Sequence, residues 1–78
     1  MQRTIRLIWD FRGNEAEQTA KHHQIHLEEF ASKEQLILKE AGVEKNQDFH
    51  WIAFLLVDER EVFKVRDVLK PVRAEVEE

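Results

Sequence analysis

Cysteine is missing from this chain, as is tyrosine, while proline occurs once and glycine twice. Without cysteine there is no disulfide staple, no thiolate nucleophile and no thiolate-held metal, a composition that suits a reducing, cytoplasmic setting. With so little Pro and Gly, no segment reads as a linker, and the 78 residues are expected to form one domain spanning residues 1–78. A domain of that size buries only roughly 60% of its unfolded surface, so association would widen a thin margin of stability. Long apolar runs are also scarce. None approaches the ~20 residues that cross a bilayer, and Met1-Gln2-Arg3-Thr4 passes at once into a segment holding Arg6 and Asp10, which leaves no signal-peptide core. Lys/Arg blocks are absent as well. The formal charge of −4 is spread along the chain, so neither nucleic acid nor a membrane surface is an expected partner.

Against that background one stretch stands out: Trp51-Ile52-Ala53-Phe54-Leu55-Leu56-Val57, in a sequence that is 36% charged. It is too unbroken for an amphipathic helix, and its aromatic and β-branched residues suit a pleated, buried surface, which predicts a central strand from Phe49 to Val57. Alternate side chains of a strand point to opposite faces, so both faces here are apolar. The chain's own helices can cover one. The other calls for a partner, most simply a second copy of the chain.

Taken in order, Ile5, Leu7, Trp9 and Phe11 alternate with Arg6, Ile8 and Asp10, a period of two that marks a strand over about Thr4 to Arg12. Gly13 breaks it. Asn14 and Glu17 have capping-box spacing and predict a helix from Glu15 to near Lys33, with Ala16, Ala20, His23, Leu27, Phe30 and Ala31 on one face. Leu36-Ile37-Leu38 suits either a strand from about Leu36 to Val43 or an extension of the helix to Ala41 with Gly42 as its C′ residue; the strand is preferred because Glu44-Lys45-Asn46-Gln47-Asp48 then forms a polar turn into the central strand. Asp58 and Glu61 repeat the capping-box spacing before a helix of about Glu59 to Lys70, which Pro71 stops. Val72, Ala74 and Val76 then alternate with Arg73, Glu75 and Glu77 as a charged edge strand. The fold class is therefore α+β, a ferredoxin-like βαββαβ unit with a four-stranded antiparallel sheet and two helices on one face.

This order of elements, with His26-Leu27-Glu28-Glu29-Phe30 on the first helix, resembles the dimeric α/β-barrel superfamily, which includes YCII-related proteins, stress-responsive A/B-barrel proteins and small monooxygenases. The resemblance implies two sheets packed face to face around a cavity, helices outward. His26-Leu27 with Phe30 is similar to the His-Leu motif of YCII-related proteins, where the His is suspected of acting with an Asp; Asp48 is the nearest candidate by position. The Gly-rich turn of those proteins is not present.

Several side chains carry candidate chemistry. His22 and His26 lie i, i+4 on the helix and Glu29 lies i+3 from His26, so the three could converge on one metal ion, though a solvated His/Glu face is the commoner outcome of such spacing. His23, in the middle of the packing stripe, is expected to hydrogen-bond a backbone carbonyl, with catalysis as the rarer alternative. Within the expected barrel, Arg6 and Asp10 face the side that carries His50 and Phe54, and together with Trp51 these define a candidate ligand site. The plainer reading pairs Arg6 with Asp10 as ions, within the chain or across the dimer interface, and leaves His50 at an exposed strand end. Two function classes follow: a homodimeric domain for assembly or for binding a small apolar or aromatic ligand, without a cofactor, or a cofactor-independent enzyme in which His23, His26 or His50 works with Asp10. The first is preferred, since no phosphate loop, nucleophile or complete metal set is present.

Overall fold

A computed structural model describes residues 3–36 and 38–77, and of Leu38 the backbone alone. Four strands and two helices follow in the order β1 (Thr4–Arg12), α1 (Ala16–Lys33), β2 (Leu38–Gln47), β3 (His50–Asp58), a 3₁₀ turn (Glu59–Glu61), α2 (Val62–Leu69) and β4 (Arg73–Glu77). The sheet order is β2-β3-β1-β4 with every pair antiparallel. This is the ferredoxin-like βαββαβ arrangement, with the apolar run as the inner strand β3.

The helix-covered face holds the main core. Leu7 and Trp9 of β1 and Ala53, Leu55 and Val57 of β3 meet Ala20 and Leu27 of α1 and Val65 of α2, all buried. Small residues at Ala16 and Ala20 bring the start of α1 down onto the sheet, and Leu27 fills the wider gap farther along, following the size gradient of the stripe. The Trp9 indole Nε1 donates to the carbonyl of Leu69 at 2.8 Å, tying β1 to the last turn of α2.

The structure moves several boundaries. Helix α1 begins at Ala16 after Glu15, and no side chain caps it; Glu17 pairs with Lys21 at 2.7 Å instead of reaching back, so the capping box does not form. At its other end Gln35 is left-handed (φ 54°), its N–H donates to Ser32 and that of Leu36 to Ala31, which is a Schellman stop formed without glycine. Leu36 packs against the core, anchoring the stop. The helix therefore does not run on toward Gly42. Strand β2 starts later and ends later than expected: the polar Glu44–Gln47 segment continues the ladder on β3, and the turn shrinks to Asp48 and Phe49. An edge strand tolerates alternating charge because one side of it meets water. Ile37 of the ambiguous run lies outside the described residues. Asp58 caps the 3₁₀ turn that precedes α2, accepting from the Arg60 N–H and Nε at 2.9 Å each, while the α-helix itself starts at Val62, later than the expected Glu59, and no side chain caps it. The bonds to Asp58 hold its carboxyl below the usual carboxylate range.

Candidate functional site

The sheet face without helices is where the predicted polar residues gather. The β1–β3 register sets Arg6 beside Leu56, Ile8 beside Phe54 and Asp10 beside Ile52, with Glu40, Gly42 and Glu44 of β2 and Arg73 and Glu75 of β4 at the flanks. The middle of this face is an apolar row, and Ile8 is only 1% exposed, Ile52 and Phe54 6% each. Among the described residues no helix packs on this row. The Arg6 guanidinium carbon stands 4.4 Å from the centre of the Phe54 ring, and its Nη2 donates to Glu44. Long cationic side chains can lay their stems over apolar surface and keep their heads wet, and a guanidinium also stacks well on a ring. The tip of the Phe54 ring lies against bare backbone: a Cβ on Gly42 would stand 2.8 Å from its Cζ.

A polar chain runs along one end of the row. His50 Nε2 donates to Asp10 Oδ1 at 2.8 Å, and the Asn46 side-chain amide donates to His50 Nδ1 at 3.0 Å. Arg73 completes it, its Nη2 donating to Asp10 Oδ1 at 3.0 Å and its Nε to Oδ2 at 3.3 Å. Burial pushes the Asp10 carboxyl upward, but the hydrogen bonds from His50 and Arg73 and the charge of Arg73 outweigh it and hold the group below its usual range. The Asp–His pair therefore exists, yet both ring nitrogens of His50 are occupied, and neither is free to take a proton from a bound molecule. Within the chain the plainer ionic reading needs correction in its pairings: Arg6 goes to Glu44, Asp10 goes to Arg73, and His50 is buried instead of exposed. Arg73, Asn46 and Glu44 were not legible as site residues, because the register that brings them in depends on which strands are neighbours.

Of the candidate ligand residues, Arg6, Asp10, His50 and Phe54 share this face. Trp51 does not: it pairs with Phe11 and packs on the helix side, as its position one residue from His50 requires. His23 sits on that side too, edge-on to Trp9 at 5.2 Å and Phe11 at 5.4 Å, and its Nε2 is buried with no partner among the described residues. Burial, joined by the charges of His26 and His22, holds the His23 ring below the ordinary histidine range. The expected backbone hydrogen bond is replaced by packing against two aromatic rings. Asp48 pairs with Lys45 in the β2–β3 turn and His26 with Glu29 on α1, so the suspected His26–Asp48 couple is not assembled.

That turn carries a feature the sequence did not announce. Phe49 has φ 62°, a left-handed conformation that bulky residues avoid, and is 63% exposed. Its carbonyl accepts from the Gly13 N–H at 2.8 Å, closing the end of the sheet. Two open concavities flank it: one of about 270 Å³ beside Asn14, Glu17, Lys45 and Trp51, and one of about 410 Å³ beside Arg12, Asn46 and His50.

On the exposed side of α1, His22 Nε2 and His26 Nε2 lie 3.0 Å apart, while Glu29 Oε1 is 3.4 Å from His26 Nδ1. Glu29 thus reaches the far nitrogen of His26 and does not converge with the pair. Among the described residues no group of three or more His, Asp or Glu side chains is set to hold a metal, and no helix is long and apolar enough to cross a membrane. No protein-family model, no curated protein and no solved structure matches this chain.

Proposed function

We propose that the chain is an assembly domain that works as a pair of identical subunits meeting through the helix-free face of the sheet. The observation that carries this is the row Ile8, Ile52, Phe54 and Leu56, an apolar strip on which, among the described residues, no helix packs, with the ion-paired Arg6 over its Phe54 ring. Arg6 and Arg73 stand among Asp10, Glu40, Glu44 and Glu75 on that face, so a two-fold axis can set each guanidinium against a carboxylate of the other copy. The buried Nε of Arg6, which has no partner among the described residues, would find an acceptor there. Two sheets packed this way would make the barrel that the order of elements resembles, and the role is association, with no chemistry assigned to the locked Asp10–His50 pair.

Sedimentation velocity across a hundredfold range of concentration, with Leu56→Asp alongside the parent, tests the reading. Leu56 is half-buried at the end of the row, so a charge there is tolerated in one subunit and opposed in a pair. A dimer that Leu56→Asp dissociates supports the proposal. A parent that stays monomeric throughout, or a dimer indifferent to the substitution, ends it.

One observation favours a second reading, in which the domain also takes a small aromatic ligand. The exposed, conformationally strained Phe49 between two concavities is a residue that stability alone does not explain. Tryptophan fluorescence followed during titration with benzoate or benzylamine tests it; the absence of a saturable change that Phe49→Ala removes counts against a ligand at this turn.

A further inference from the structure

Metal-binding chemistry at the two exposed histidines of α1 stands apart from the sheet and from the assembly reading. His22 and His26 are one helical turn apart, their rings edge to face at 77° with centroids 4.7 Å apart, and their Nε2 atoms meet tip to tip at 3.0 Å. Hydrogen bonding between two such nitrogens needs one proton, carried by one of them. The Glu29 carboxylate stands 3.4 Å from Nδ1 of His26, on the far side of the ring from His22, where it favours the tautomer that carries its proton on Nδ1 and leaves Nε2 with a free lone pair. A carboxylate behind a histidine is the usual way of turning an imidazole toward a metal ion.

The spacing lets both nitrogens reach one ion. An ion ~2.0–2.1 Å from both nitrogens would subtend an N–metal–N angle of about 95° across a 3.0 Å gap. That is near the right angle of square-planar or octahedral coordination and short of the tetrahedral angle that zinc prefers. Imidazole pairs with tetragonal geometry are the preference of Cu²⁺ and Ni²⁺. We propose that His22 and His26 form a two-point chelate for Cu²⁺ or Ni²⁺, with Glu29 orienting His26 from behind and water filling the remaining positions. Binding displaces the shared proton, which His22 retains by carrying it on Nδ1, so no proton need leave the protein. The helix sets both donors one turn apart, and loading requires no backbone movement.

The test is a titration of untagged protein with NiCl₂, observing the four histidine rings by proton NMR and the melting temperature in parallel, with ZnCl₂ as the comparison ion. The ring signals of His22 and His26 should broaden first and together, the melting temperature should rise, and zinc should bind more weakly than nickel. His22→Ala and His26→Ala, at exposed positions that leave the core untouched, should each weaken nickel binding by more than Glu29→Gln does, and Glu29→Gln by roughly tenfold, the low end for an outer-sphere partner. His23→Leu should leave the affinity unchanged. Nickel binding that survives either single histidine variant, a first response at His50, or zinc bound more tightly than nickel would each overturn the assignment.

Discussion

Leu7 and Ile8 are neighbours on β1, each 1% exposed, and they are kept from water by different means. Leu7 lies under two helices among apolar side chains, whereas Ile8 packs with Ile52, Phe54 and Leu56 on the helix-free face, whose rim is charged: Arg6 stands over the Phe54 ring and Arg73 is held by Asp10. Burial of apolar surface requires only that water be excluded, and either cover does that. The covers differ in what they depend on. Helix packing is indifferent to pH and salt, while an ionic roof keeps its shape only as long as its charges stay paired. It can also open without unfolding anything, which suits the face proposed to meet a second subunit.

The sharpest way to break this comparison is to shorten each neighbour in turn. Leu7→Ala should cost about 3–5 kcal/mol, toward the upper end for a buried leucine, since helices on a sheet relax poorly into a cavity. Ile8→Ala should cost about 2 kcal/mol, because flexible guanidinium stems and water can close over the gap. Equal losses in urea denaturation would mean that the two covers are mechanically alike.

Next in size is Gly42→Ala, which drives a methyl into the tip of the Phe54 ring and should destabilise the fold by about 1–3 kcal/mol. A double variant with Phe54→Leu, which removes the ring edge, should recover part of that loss. No recovery would show that Gly42 is needed for some other reason.

Acid should act on the open face through Asp10, beside a smaller loss from the Asp58 cap. Asp10 has its pKa lowered in the folded state by His50 and Arg73, so its contribution is complete at pH values above the ordinary aspartate value of about 3.9 and is lost as pH falls through the lower folded value. Chemical denaturation at a series of pH values between 2 and 6 should therefore show an acid limb that Asp10→Asn flattens. An unchanged limb in Asp10→Asn would assign the acid sensitivity to other groups.

The smallest effect belongs to the turn. Phe49→Asn places at φ 62° a residue that tolerates the left-handed region, and the melt should shift upward by an amount equivalent to about 0.5–1 kcal/mol. A loss of stability would mean that the exposed ring packs more tightly than its 63% exposure implies.

How far these features were legible in the sequence follows from the range over which each is determined. Periodicity found β1, α1, β3 and the alternating β4, because hydrophobic spacing is local and the covered face reads directly from it. It also placed Arg6, Asp10, His50 and Phe54 on one side. Trp51 was grouped with them on residue type, although its odd place in the strand sends it to the helices. The end of α1 and the start of β2 were ambiguous because a Schellman stop with glutamine in the left-handed position leaves no glycine to read, and because an edge strand of polar residues looks like a turn. The partners of Asp10 and Arg6 could not be foreseen: Arg73 is 63 residues from Asp10, and Glu44 is 38 from Arg6. The roof itself was invisible, since nothing in an alternating pattern says that an arginine will lie down over its neighbour.

Gly42 has a meaning beyond the space it leaves. A ladder of backbone hydrogen bonds can be satisfied at many offsets, and side-chain pattern alone guards β2 weakly, because its residues are polar on one side and small on the other. The Phe54 ring seats only over the glycine. Sliding the strand by one position would bring Ala41 or Val43 beneath it and turn the whole edge inside out, and sliding by two would bring Glu40 or Glu44. The missing side chain thus acts as a keyway, fixing the alignment of the hairpin and, through it, the reach of Glu44 toward Arg6 and of Asn46 toward His50.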